Sequence, residues 1–325
     1  MIDSTSANPG LKLIIQIPCL NEADALPITL SSLPRQIPGI DKVEWLIIND
    51  GSTDKTVEVA KAHNVDHIIS HPKNLGLARA FMAGIQACLE SKADIIVNTD
   101  ADNQYSAECI PDLIKPILEG KAELVIGARS VNEIESFSPI KKFFHKIGSW
   151  IVRIASSTDV PDAPSGFRAI SKTAARNLNV FNNYTYTLET IIQAGQKNIP
   201  ITWVPIRTNE DLRPSRLIKN MPVYILKSVI TIIRIFVVYR PFRFFMVIGS
   251  ILFSLGVIIG LRYIWYYFAG NAGGHIQSLI LSSILIGIGF QTMLIAFVVD
   301  LQSVNRKLLE ELLYNFRKDN VASKK

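Results

Sequence analysis

Asp100 and Asp102 stand one residue apart where an apolar run, Asp94-Ile-Ile-Val-Asn-Thr, has to end. An open α/β sheet binds its ligands beyond the carboxyl ends of its strands, so both side chains are placed for chemistry. Two carboxylates this close repel each other unless a cation lies between them. Hard oxygen ligands of this kind suit Mg2+ or Mn2+, with the phosphates of a substrate completing the shell. A solvated acidic turn would use the same residues, and the pair alone leaves both readings open. His63, His67 and His71 fall at intervals of four. A turn and a strand between them prevent one helical face from gathering them around zinc. Neither a GxGxxG nor a GxxxxGK[ST] phosphate loop occurs, which speaks against a dinucleotide enzyme and a P-loop NTPase.

The elements that must position the carboxylates alternate along the chain. Leu11–Pro18 reads as a strand, Glu22–Leu33 as a helix and Val43–Asn49 as a second strand. Ser52 or Thr53 is expected to cap a helix running to about His63. His67–Ser70 is a short strand, Leu75–Glu90 a helix, and Ile95–Thr99 the strand that delivers the acidic pair. Pro111 sits early in a helix ending near Gly120, and Leu124–Ala128 is a fifth strand. This alternation predicts an α/β domain with a mostly parallel sheet covered on both faces.

The last third of the 325 residues is different. Phe244 to Leu261 carries no charge, with Tyr263, Trp265, Tyr266 and Tyr267 following as an aromatic belt, and Ile276 to Val299 is again uncharged. A helix of about 20 apolar residues crosses a bilayer. The segment 241–300 is therefore expected to hold two spans, near 244–265 and 276–299. Arg240 and Arg243 precede the first; Arg306, Lys307, Arg317, Lys318, Lys324 and Lys325 follow the second, in a basic tail over 301–325. The connection Ala269 to His275 has no Lys or Arg, so the positive-inside rule places both ends of the hairpin in the cytoplasm. Before the first span, 217–240 reads as a helix lying in the headgroup layer, with Lys227 and Arg234 forming a narrow cationic stripe on an apolar body.

The net charge is +6, and the basic residues concentrate between Arg207 and Arg243. That placement fits an anionic membrane surface, and no nucleic-acid-binding signature accompanies it. Cys19, Cys88 and Cys109 form no CxxC pair, as expected of free thiols in a reducing compartment. The polar segment 1–10 lacks a basic-then-apolar leader, so the domain over 11–216 is expected in the cytosol, on the plasma or inner membrane or that of the endoplasmic reticulum. The residues do not fix an oligomeric state, although Gly256, Gly260, Gly287 and Gly289 could let the spans pack on copies of themselves as a homo-oligomer.

Five motifs agree in order and spacing. Pro18-Cys-Leu-Asn-Glu22 ends the first strand, Asn49-Asp-Gly-Ser52 the second, and Asp100-Ala-Asp-Asn-Gln104 the fourth. Asp162-Ala-Pro-Ser-Gly-Phe-Arg168 and Arg213-Pro-Ser-Arg216 come later. Together they resemble the family 2 glycosyltransferases of GT-A fold, most closely the dolichol-phosphate mannose synthase-like branch, over roughly residues 11–240. The paired spans resemble the anchors of its membrane-embedded members.

The resemblance implies a membrane-bound, inverting, metal-dependent transfer of sugar from a UDP- or GDP-sugar to a polyisoprenyl phosphate, dolichyl or undecaprenyl. It gives Pro18, Leu20 and Glu22 to the donor's nucleoside, and Asp50 to the base N–H groups, which uracil and guanine both offer. Many relatives carry Tyr in place of Leu20. Asp100, Asp102 and Gln104, with Ala101 between them, match the positions of the metal, Mg2+ or Mn2+, and the diphosphate. Arg129 and Arg168 are candidates for donor phosphates, and Ser165, Arg213, Ser215 and Arg216 for the acceptor phosphate. Asp102, Asp162 and Arg168 form the expected catalytic set, with Asp162 either a base or a positioning group. A lipid phosphate is already anionic near neutrality by analogy with protein phosphates, so transfer needs no strong base. Two alternatives remain: a glycosyltransferase for another lipid or a polysaccharide, and a catalytically silent nucleotide-sugar binder.

Overall fold

The computed structural model describes residues 10–129, 149–150, 152–154, 156–180, 186–209, 230, 233–234, 237, 240–270 and 276–323. Arg213, Ser215 and Arg216, most of 217–240 and the segment 271–275 lie outside the described residues. The chain divides into two units, Met1–Ser228 with Tyr314–Lys325, and Val229–Leu313.

The first unit is a seven-stranded sheet in the order β3-β2-β1-β4-β6-β5-β7. Its strands are β1 (Lys12–Cys19), β2 (Lys42–Asn49), β3 (His67–Ser70), β4 (Ile95–Asn98), β5 (Leu124–Arg129), β6 (Arg168–Ser171) and β7 (Ile201–Ile206). The apolar runs of β1, β2 and β4 are buried almost throughout, as central parallel strands require, whereas β3 at the edge is only half-buried. β1 pairs in parallel with β2 and β4, and β5 with β7. β6 runs antiparallel to both β4 and β5, inserting between them. The expectation of a mostly parallel α/β sheet therefore holds, with one strand reversed.

Helices α1 (Leu26–Ser32), α2 (Thr56–Ala62), α3 (Leu77–Glu90), α4 (Ile110–Leu118), α5 (Lys172–Asn177) and α6 (Thr187–Gln196) belong to this unit. Two begin later than expected. The backbone N–H groups ahead of them are claimed by side chains from neighbouring loops. Asn21 N–H donates to Ser52 Oγ, Glu22 N–H to Thr56 Oγ1 and Ala23 N–H to Asp54 Oδ2, and α1 begins beyond this stitched turn, at Leu26. Leu75 and Gly76 N–H both donate to Asp50, and α3 starts after them. Ser52 and Thr53 do not cap α2; both bond to Asn21, while Asp54 accepts from the Thr56 N–H at 3.0 Å. Ser171 does cap α5, accepting from the Ala174 N–H.

α7 (Pro241–Phe268) and the part of α8 (Ile276–Ser323) up to Leu313 make up most of the second unit, and each contains a stretch apolar enough to cross a membrane. The windows have mean hydropathy 2.5 and 2.1, and only 11% of each is buried. A core helix of a soluble protein would be covered instead. The glycines expected to face another copy mostly close this hairpin on itself. A Cβ at Gly289 would lie 2.5 Å from Phe253 N, and one at Gly256 2.8 Å from Ile286 N. Ser282 Oγ donates to Gly256 O at 2.7 Å, and a Cβ at Gly260 would reach that hydroxyl. Only Gly287 of the four faces open space.

Candidate active site

β4 ends on a polar residue, Asn98, whose amide is fully used inside the core. It accepts from Gln16 Nε2 at 2.9 Å and donates to Gly166 O and Tyr186 Oη, both at 2.8 Å. Gly166 N–H donates to Tyr105 Oη at 3.0 Å. Gly166 is thus gripped at both its N–H and its carbonyl. It lies against Asp100: a Cβ there would sit 2.9 and 3.0 Å from the two carboxylate oxygens. The reversed strand β6 brings the loop over 162–167 down onto the acidic pair.

Burial pushes the Asp100 carboxyl up to about 7; the charge of Asp102 adds to this, Arg129 and Arg168 oppose it, and Glu22 raises it further. Glu22, Asp100, Asp102, Arg129 and Arg168 therefore share one electrostatic neighbourhood. The turn after Asp100 is held from two sides. Thr29 Oγ1 donates to Ala101 O at 2.8 Å, and Asn209 Nδ2 to Asn103 O at 2.8 Å. Asn209 N–H also donates to Gln104 O, and Gln104 N–H reaches Asp102 Oδ1 at 3.3 Å. Asn103 takes a positive φ of 58°, which lets the chain turn sharply beneath the pair.

Arg129, the last residue of β5, bonds Asp162 bidentately, Nε to Oδ2 at 2.7 Å and Nη2 to Oδ1 at 3.0 Å. Its own N–H also donates to Oδ2. Asp162 is 1% exposed, and its charge helps to hold the guanidinium protonated against the desolvation that opposes it. Arg168 is fully buried. Its guanidinium donates to Thr187 O, Thr190 Oγ1 and Ser165 O and lies over the Tyr186 ring, which stacks on Phe81. Ser165 Oγ and Arg168 Nε are buried and have no hydrogen-bond partner among the described residues.

Pro18, the penultimate residue of β1, and Leu20, just after the strand, are half-buried, and Asp50 follows directly on the neighbouring β2. Asp50 is 4% exposed, and its oxygens accept from Leu75, Gly76 and His71. Each histidine of the evenly spaced set has its own partner: His63 Val59 O, His67 Glu44 and His71 Asp50. Among the described residues, no three His, Cys, Asp or Glu side chains converge as a metal cage. Two carboxylates suffice for a hard cation whose other ligands are substrate oxygens. Burial first, and then the neighbouring charge of Asp102, make a bare Asp100 carboxylate costly, and a cation would offset that cost. The donor set therefore fits Mg2+ or Mn2+. Sequence reasoning missed Asn98, Tyr105 and Tyr186; the one available signal was a polar residue ending an otherwise apolar strand.

A family model described as glycosyl transferase family 2 matches residues 14–178. An undecaprenyl-phosphate mannosyltransferase of Micrococcus luteus is 27% identical over 206 residues, spanning 60% of this chain and 83% of that protein. A UDP-N-acetylglucosamine–dolichyl-phosphate N-acetylglucosaminyltransferase of Methanococcus voltae is 30% identical over 213 residues, spanning 59% and 83%. Among solved structures, a Mycobacterium tuberculosis glucosyl-3-phosphoglycerate synthase in complex with Mg2+ and UDP has a TM-score of 0.52 at 19% identity. It covers 69% of this chain and 79% of its own, a likeness of fold.

Proposed function

The chain belongs to glycosyl transferase family 2, and from that premise we propose that it moves a sugar from a nucleotide diphosphate to a polyisoprenyl phosphate at a membrane. The observation that carries this reading is the Asp100–Asp102 pair at the end of β4, pressed under Gly166 and flanked by Arg129. Asp100 and Asp102, with Gln104 beside them, would hold Mg2+ or Mn2+, which when bound supplies Lewis-acid stabilisation to a departing nucleotide diphosphate. Pro18, Leu20 and Glu22 would line the nucleoside. Arg129 keeps a positive charge at the site, and Asp162 orients that charge with both oxygens. Asp162 is thereby a positioning group more than a base.

Arg168, buried and bonded to its own loop, would shape the acceptor side without touching phosphate. Ser165 Oγ, buried and without a partner among the described residues, would donate to an acceptor oxygen. Arg213, Ser215 and Arg216 remain candidates for the acceptor phosphate from the resemblance alone. Polyisoprenyl phosphates appear in the names of the Micrococcus and Methanococcus relatives, which supports this acceptor class. Two apolar helices in the same chain suit it physically, because an isoprenoid tail stays in the bilayer and its enzyme must stay there too. The domain over 11–216 and both ends of the hairpin would then be cytoplasmic by the positive-inside rule.

The test offers purified protein radiolabelled UDP- and GDP-sugars, undecaprenyl or dolichyl phosphate and Mg2+ or Mn2+. Label in the lipid fraction, lost with chelator, supports the reading. Label on diacylglycerol or polysaccharide in place of the isoprenoid would overturn the acceptor. Tight donor binding with no transfer to any acceptor would overturn the enzyme.

A further inference from the structure

The carboxylate expected to read the nucleobase is buried and already accepts three hydrogen bonds. Asp50 Oδ1 accepts from Leu75 N–H and Oδ2 from Gly76 N–H, each at 2.9 Å, and His71 Nδ1 lies 2.8 Å from Oδ1. An ionised carboxylate only accepts hydrogen bonds, so the proton shared in that contact belongs to His71 Nδ1. In the neutral ring, Nε2 then carries a lone pair and no proton. The His71 side chain contacts no polar group but Asp50 among the described residues, and it keeps 15% of its surface open.

Its place on the sheet gives that lone pair a use. Leu20, Asp50 and His71 each follow directly on the ends of β1, β2 and β3, which lie side by side in the sheet. The acidic pair follows β4 on the other side of β1. Strands are spaced about 4.8 Å, so His71 stands roughly 14 Å along this edge from the carboxylates. A nucleotide whose phosphates lie at Asp100 and Asp102, and whose ribose passes Leu20, brings its base to β2 and β3.

We infer that His71 Nε2 accepts the hydrogen bond of the base N–H, and that the site thereby selects uracil over guanine. Uracil presents one ring N–H between two carbonyls. Guanine presents a ring N–H and an adjacent amino group, which need two acceptors side by side. A free carboxylate would supply both, but that of Asp50 is buried and fixed by α3 and His71. One imidazole lone pair satisfies uracil and strands a guanine donor, and a site that leaves a polar group unpaired discriminates strongly.

The inference rests on the nucleotide-sugar reading above, and its test separates the two. The full chain in detergent is titrated with UDP and with GDP by calorimetry at pH 8 with Mn2+ present. The wild type should bind UDP at least about tenfold more tightly than GDP, as one hydrogen bond to a desolvated partner provides. His71→Phe should weaken UDP by about tenfold and leave GDP within about twofold. His71→Gln, whose amide oxygen restores an acceptor, should recover much of the UDP affinity, and its melting temperature checks that the fold survives. A wild type that prefers GDP, or a His71→Phe protein with an unchanged UDP-to-GDP ratio, overturns the role of His71 alone. A wild type that binds neither nucleotide overturns the donor reading together with it.

Discussion

The two sides of the acidic pair are built by different means. On the β1–β2–β3 side, short loops are stitched by hydrogen bonds from backbone N–H groups to nearby side chains: Asn21 to Ser52, Glu22 to Thr56, Ala23 to Asp54, Leu75 and Gly76 to Asp50. On the β6 side, the loop over 162–168 is held by long buried side chains from distant elements. Asn98, Tyr105 and Tyr186 grip Gly166, and Arg168 ties Ser165 to α6. The first side can lose a ligating group and keep its shape. The second cannot, because the groups that shape it are themselves the core.

That contrast predicts opposite outcomes for two charge removals. Asp102→Asn, in the half-buried turn after β4, should cut transfer at least about a thousandfold, about 4 kcal/mol of transition-state stabilisation. Its unfolding free energy should stay within about 0.5 kcal/mol of wild type, as expected away from the core. Arg168→Met should instead destabilise the first unit by about 3 kcal/mol, because carbonyls of Ser165 and Thr187 lose their donor in a buried setting. Denaturation and transfer assays on both variants check this. An Arg168→Met protein with wild-type stability and no activity would make the arginine a phosphate ligand and erase the contrast.

Gly166→Ala sharpens the comparison at the point where the two sides meet. The backbone of Gly166 is not in the left-handed region, so alanine is conformationally acceptable there. The added methyl would nevertheless lie 2.9 to 3.0 Å from the Asp100 oxygens and 3.1 Å from Tyr186 Oη. Asp100 has to move. Mn2+ binding in the presence of UDP should weaken by about tenfold, roughly 1.4 kcal/mol, with the fold retained. Equal Mn2+ affinity in the variant would show that Gly166 does not set the carboxylate's position.

The same contrast decides what could be read from sequence. The β1, β2 and β4 runs were legible because central parallel strands are apolar along their whole length, and each ended on a polar motif. The starts of α1 and α3 were misplaced because the side chains that claim their first N–H groups come from about 25 to 34 residues away. β6 was missed altogether. Arg168-Ala-Ile-Ser is too short to show a period, and its partners in β4 and β5 lie far off in the chain. Arg168 illustrates the limit of residue type as a guide: a guanidinium suits phosphate, yet here burial and three protein acceptors hold it in the core. The hairpin glycines were legible as close-packing positions, but sequence could not choose between packing on a copy and packing on the neighbouring helix.

The smallest effect tests the electrostatics of the pair itself. Asp100 is pushed from an ordinary 3.8 up to about 7, chiefly by burial and then by Asp102, against the pull of Arg129 and Arg168. A carboxyl whose folded pKa lies above its unfolded one binds a proton more tightly when folded. Its contribution to stability is complete below about pH 4 and is lost as the pH rises through about 7. If the site holds a metal as proposed, a cation would take the place of that proton, so Mg2+ should stabilise little at pH 5.5 and progressively more toward pH 8. Melting curves with and without Mg2+ should diverge by a few degrees across this window. In Asp100→Asn the divergence should vanish, and with it the fall in stability between pH 4 and 7. A Mg2+-free fall that persisted in that variant would assign it to a titrating group other than Asp100.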